Sequence, residues 1–362
     1  MVEFKGDDRE KMTISFLDFL AKLIENPSFL FITILISAVI LVNGWTDAPN
    51  TIATAISTRS IRPKRALLLA EICNFFGVLV MTLINAKVAQ TIFNIVNFGD
   101  NAQHSLIALC AALVSIVLWA VFAWLFGIPT SESHALVAGL SGSAIALTKS
   151  VSAISGQEWL KVIYGLVVAT FLGFILGYLI TKLIEFVFKN VDRRKTTSPF
   201  KYSQILGAGA MSFMHGAQDG QKFMGVFLLA LALANGQTNV TNFEIPIWLM
   251  IYCSLIMTLG TSIGGYKIIK KVGMKMTKLE PYQGTATDFA SAATLLVASS
   301  FGLPTSTTHA KTTAIMGVGA SKRLSNVNWG VVREMVITWI LTFPGCGLLG
   351  YLVTLLFMKV FI

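Results

Sequence analysis

Long apolar runs separated by short polar or basic stretches set the pattern of this chain. The runs cover Ser28–Ile56, Ala66–Asn85, Ser105–Phe126, Ala135–Leu147, Leu160–Phe188 and Ile205–Ala234. Others end at Gly264 or cover Thr285–Phe301, Ala310–Gly319 and Val331–Phe361. Several reach the ~20 residues at which a helix crosses the hydrocarbon core of a bilayer. None alternates polar with apolar as barrel strands do, so the predicted class is an all-α polytopic membrane protein. Two runs are interrupted mid-span, by Asn43-Gly-Trp-Thr-Asp47-Ala-Pro49-Asn50 and by His215-Gly-Ala-Gln218-Asp219-Gly-Gln-Lys222. Gly, Pro, Asp and Asn are poor helix interior. A helix break is predicted at each place, lining a cavity or buried in protein as membrane depth requires.

A second pattern is written twice, as Pro129-Thr-Ser-Glu-Ser-His134 and as Pro304-Thr-Ser-Thr-Thr-His309. Pro followed by Ser and Thr marks a helix start, with Pro in the first turn and a hydroxyl capping free backbone N–H groups. One hydroxyl suffices for a cap, and each copy carries more. A helix start presents a positive dipole end and unpaired donors, so two that face each other make a site for a small anion. The anion-binding candidates are Thr130, Ser131 and Ser133, then Ser306, Thr307 and Thr308, with Asp47, Asp219 and Gln218 from the interruptions. Each motif is the tip of a re-entrant hairpin or the break between two full spans.

The motifs begin 175 residues apart and the two aspartates lie 172 apart, which reads as a duplication. Each half has an odd number of crossings, so the halves are expected to be inverted-topology repeats with broken helices and a site near the midplane. The predicted organisation is an amphipathic segment over 1–26, repeat 1 over 27–188, a basic linker over 189–204 and repeat 2 over 205–362.

Composition agrees, with 13% charged residues and a mean hydropathy of +0.71, against roughly 25% charged in soluble domains. The net charge of +10 needs no nucleic-acid partner. Its cations gather between spans, at Arg59–Arg65, Lys189–Lys201 and Lys267–Lys278, without aromatic interleaving. The positive-inside rule puts these loops in the cytoplasm and both termini outside, in a cell (inner) membrane. Cys73, Cys110, Cys253 and Cys346 are scattered singly, which indicates packing rather than a disulfide or zinc framework. The first 26 residues lack a signal-peptide pattern.

An intramembrane aspartate is costly to bury and is by default functional. Two carboxylates beside an anion site would repel the anion unless cations stood between them, and carboxylate and amide oxygens are hard ligands suited to small cations. Asp47, Asn43, Asn50, Asp219, Glu132, Asp288 and Thr305 are therefore the cation-binding candidates, in a transporter with no cofactor. His134, His215 and His309 are read as structural, and His104 lies at a membrane edge. Lys222 and Lys311 either neutralise the site or snorkel to an edge. Gly173 and Gly177 let helices approach closely, within the chain or across a dimer. Gly139-Leu-Ser141-Gly142 raises an intramembrane serine hydrolase as a rival, and a passive anion channel is another. Neither explains the duplicated acids.

The chain resembles the inorganic phosphate transporter (PiT) family over both halves. The resemblance is carried by His215-Gly-Ala-Gln-Asp-Gly-Gln-Lys-Phe-Met, by Gly302-Leu-Pro-Thr-Ser-Thr-Thr-His309 and by Asp288-Phe-Ala-Ser-Ala. The family's GANDVAN signature stands here as Gly44-Trp-Thr-Asp47-Ala-Pro-Asn50. Gln218 replaces the usual Asn, and Asn74 falls where many members carry an acid, with Asp288 as its counterpart. The resemblance implies symport of phosphate with sodium, or with protons as in many bacterial members, by alternating access in a homodimer. Asp47 and Asp219 match residues implicated in transport, and Ser131 and Ser306 match the hairpin hydroxyls.

Overall fold

The computed structural model describes residues 14–126, 130–237, 243–263, 269–270 and 277–362. Residues 1–13, Pro129, positions 238–242, and Lys267, Lys271 and Lys275 lie outside the described residues. Among the described residues the regular structure is helical apart from isolated β-bridge residues, which include the pair Val96–Ile154.

The first half comprises α1 (Phe16–Glu25), α2 (Pro27–Thr46), α3 (Ala48–Ser57), α4 (Pro63–Ile84), α5 (Lys87–Phe93), α6 (Ala102–Leu125), α7 (Glu132–Thr148) and α8 (Gly156–Val187). The second comprises α9 (Arg193–Ala234), α10 (Ile247–Ile263), α11 (Pro281–Ser300), α12 (Thr307–Lys322) and α13 (Trp329–Phe361). Within the described residues the segment Pro27–Ser57 and helices α4, α6, α8 and α13 are long and apolar enough to span a membrane. Helices α9 and α11 carry more polar residues than such a span, α12 is only 16 residues long, and protein covers all three.

The first predicted break is present. Asp47 separates α2 from α3, because Pro49 brings no N–H and its ring would strike the carbonyl four residues back. The second is absent, and α9 runs unbroken through His215–Lys222. This segment has no proline, so its backbone ladder continues. Its glycines serve packing: a Cβ on Gly216 would sit 2.9 Å from the Asn74 Cα, and one on Gly220 would press into Val78 of α4. Residues 193–204 of the expected linker are the first turns of this same helix. From Met211 to Leu233 nearly every α9 side chain is buried, as expected for a helix enclosed on all sides.

Partners are exchanged between the halves. Helix α4 lies along α9, and α10 along α2; α7 lies along α13, and α12 along α8. Gly44 and Gly260 allow the α2–α10 approach, and Gly173 and Gly177 back onto Ala310 and Ala314 of α12. The Gly173/Gly177 pair thus serves packing within the chain. At one end α5 is buried against α9 with Val88, Ala89 and Ile92 inaccessible. The Thr91 hydroxyl donates to the Gly302 carbonyl (3.0 Å) and so holds the linker that leads into α12. Helix α1 packs Phe19 on Trp248, with ring centroids 4.6 Å apart.

Candidate functional site

Helices α7 and α12 begin at Ser131 and Ser306, whose hydroxyls accept from the backbone N–H groups of His134 (3.3 Å) and His309 (3.2 Å). These serines are the caps. Pro304 stands two residues before its cap, in the non-helical linker, so it does not occupy the first turn as the motif suggested. The linker turns at Gly302 with φ of +69°, a conformation that glycine alone adopts freely.

The two helix starts meet. The rings of His134 and His309 lie 4.6 Å apart, His134 stacks on Phe343 at 4.5 Å, and His309 lies 3.6 Å from Trp339. Both histidines are packed among aromatic rings, in keeping with a structural role. The Ser133 hydroxyl reaches across to the Thr305 carbonyl at 3.4 Å.

Hydroxyls not spent on capping turn toward the acids. Thr308 donates a short bond to Asp47 Oδ1 and Thr307 lies 3.4 Å from Asp47 Oδ2. Asn50 Nδ2 bonds both Asp47 (2.9 Å) and Thr308 (3.1 Å). Across the site, Asp219 accepts from Lys222 Nζ at 2.6 Å and from Asn43 Nδ2 at 3.1 Å, with His215 Nε2 at 3.4 Å. One ligand atom from each of Asp47, His215 and Asp219 falls within 4.8 Å of the others. The amide oxygens of Asn43 and Asn50 are buried without a partner. Carboxylate and amide oxygens are hard donors of the type that small cations take. Glu132, in the first turn of α7, takes a short bond from the Thr46 hydroxyl at the end of α2, where a helix start favours an acid.

Other candidates are placed differently. Gln218 holds the linker rather than facing the acids: Nε2 donates to the Leu303 carbonyl (3.2 Å) and Oε1 accepts from Thr305 N–H (3.4 Å). Thr305 contributes its carbonyl, which accepts from Lys222 at 2.6 Å. Thr130 lies half-buried ahead of the α7 cap. Asp288 is a separate centre, paired by a short bond to Lys311 and accepting from Thr54 Oγ1 at 2.6 Å. An ammonium of the chain itself thus stands where a coupled cation was expected. Asn74 pairs with His215 Nδ1 at 3.0 Å. Ser141 accepts from Trp159 Nε1 at 3.0 Å and has no histidine partner among the described residues.

Lys222 is the residue whose importance the sequence left open. It is 1% exposed and joins Asp219, Ser133 and Thr305. Its signal was present, because i and i+3 share a helix face. Expecting a break across His215–Lys222 concealed it.

Two helix starts that meet beside buried acids inside a polytopic helical protein define a membrane transport protein with an internal polar site. The chain belongs to the phosphate transporter family (PHO4), whose model matches residues 43–350. It is 38% identical to the "Probable low-affinity inorganic phosphate transporter" of Bacillus subtilis (strain 168), over 85% of this chain and 91% of that one. It is 37% identical to the protein of the same name from Rhizobium meliloti (strain 1021), over 86% and 90%. Among solved structures it is similar to "The sodium-dependent phosphate transporter", at a TM-score of 0.84 and 25% identity, covering 93% of this chain and all of that one. The protein is a phosphate transporter, not an enzyme.

Proposed function

We propose that this transporter imports inorganic phosphate by alternating access, driven by cations and by sodium in particular. The supporting observation is the meeting of two helix starts with Asp47 and Asp219 at one buried place. The starts and their hydroxyls suit a tetrahedral anion that must later leave, because they present many donors and no fixed arginine fork. The aspartates, with the unpartnered oxygens of Asn43 and Asn50, suit the cations that an anion needs beside carboxylates. Sodium is favoured over protons by this hard-oxygen donor set and by the sodium dependence of the structural neighbour.

The exchange of helix partners between the halves supports an inverted repeat, since each contact has a counterpart with the halves interchanged. A two-fold axis in the membrane plane would then let the halves rock about the fixed site. Cytoplasmic basic loops, external termini and a homodimer in the inner membrane complete the reading. Labelled phosphate uptake into proteoliposomes, with sodium and proton gradients imposed separately, tests it. Accumulation above equilibrium under a sodium gradient is expected. Accumulation driven only by protons would reassign the coupling ion, and mere equilibration would make the protein a channel.

A further inference from the structure

The two halves of the site place different residues one turn after their aspartates. Asn50 follows Asp47 and Lys222 follows Asp219, each three positions on. Both reach back to their own acid, Asn50 Nδ2 to Asp47 Oδ1 at 2.9 Å and Lys222 Nζ to Asp219 Oδ1 at 2.6 Å. The surroundings of the ammonium are those of a bound ion. Its three donors meet a carboxylate, the Ser133 hydroxyl at 2.5 Å and the Thr305 carbonyl at 2.6 Å. These oxygens come from α9, the first turn of α7 and the linker before α12. Carboxylate, hydroxyl and backbone carbonyl are also the oxygen types that a dehydrated hard cation takes.

No ammonium is hydrogen-bonded to Asp47, although Lys222 is near enough to act on it through space. Its oxygens accept from Asn50, Thr307 and Thr308, all neutral. Nearby Glu132 is bonded by neutral Thr46, and the Asn43 and Asn50 oxygens remain free acceptors. One half therefore calls for a cation from solution, while the other already holds one.

We infer that the Lys222 ammonium is a tethered cation standing in the place of one coupled ion, so that ion coupling is confined to the Asp47 half, around Asn43, Asn50 and Glu132. This rests on the cation-coupled reading above. A tethered charge does not cross with the phosphate. The protein then moves one cation fewer per phosphate than a site without the lysine, and its limiting accumulation ratio loses one factor of the ion gradient. Lys222 is a specificity-determining residue for coupling.

The test measures sodium dependence, with sodium chloride replaced by choline chloride, in labelled-phosphate uptake and in thermal stabilisation of the purified protein. Lys222→Asn, which makes the second half match the first, is expected to raise the sodium Hill coefficient by about one. Lys222→Arg should keep the wild-type coefficient. A Lys222→Asn protein that keeps the wild-type coefficient and shows only a raised phosphate KM overturns the inference, because the lysine is then a phosphate contact. If Lys222→Asn does not fold, Asn50→Lys carries the test to the other half: a coefficient lower by about one supports the inference, and an unchanged one refutes it. Should neither variant fold, the number of sodium ions bound at Asp219 is read from wild type against Asp219→Asn/Lys222→Met by thermal stabilisation. Equal sodium responses support the inference, and a weaker response in the double variant overturns it. Wild-type protein that fails to accumulate phosphate under any gradient refutes symport itself and is thereby distinguished from failure of the lysine assignment.

Discussion

The Asp47 and Asp219 segments read alike in the sequence and fold differently. At Asp47 the backbone breaks, and the acid sits between two helices with neutral donors around it. At Asp219 the helix is continuous, and the acid hangs from its side beside a lysine on the same face. Proline makes the difference. Pro49 forbids the ladder, whereas His215–Lys222 has no such residue and spends its glycines on close approach to α4. Aspartates in similar sequence contexts in the two halves thus need not share backbone geometry or charge balance.

The sharpest way to break this contrast is to remove each charge in turn. Asp219→Asn leaves Lys222 buried without its counter-ion, which costs about 3–5 kcal/mol and abolishes uptake. Asp47→Asn strands no lysine. Its stability should change by about 1 kcal/mol or less, while phosphate uptake is also lost. Thermal unfolding of the two purified variants, measured side by side with uptake, checks the pair. Equal destabilisation would show that the halves carry the same charge balance.

The Asp288–Lys311 pair sharpens the comparison at the next scale. Lys311→Met alone leaves Asp288 unpaired in the interior, with an expected loss of about 3 kcal/mol. Combining it with Asp288→Asn should recover much of that loss, and a double-mutant cycle on melting temperature reads the coupling.

Glycine packing comes third. Gly216→Ala brings a Cβ against the Asn74 backbone and should cost about 1–3 kcal/mol by parting α4 from α9. Gly156, with open space around its Cα, tolerates Ala and serves as the control in the same melting experiment.

Smallest of all is Ser141→Ala. It leaves the Trp159 N–H without its acceptor, at about 1 kcal/mol, and phosphate uptake should stay within about twofold of wild type because Ser141 does no chemistry. A complete loss of uptake would return the serine to the functional site.

Much of this was legible from residues alone. Apolar run length marks the spans, the doubled Ser/Thr clusters mark two helix starts, and Pro49 marks the break at Asp47. These are local properties, set by backbone sterics and by transfer of side chains into lipid, so neighbouring residues suffice to reveal them. Which glycines break a helix and which permit contact could not be read that way. Gly216 looks like a breaker until Asn74 is seen against it, 142 positions away in the chain. The pairing of Asp288 with Lys311, the capture of Lys222 by Ser133 and Thr305, and the use of Gln218 as a brace for the α12 linker were likewise decided by tertiary structure. A buried charge takes whichever partner packing brings within reach, and in this protein packing reaches across the halves.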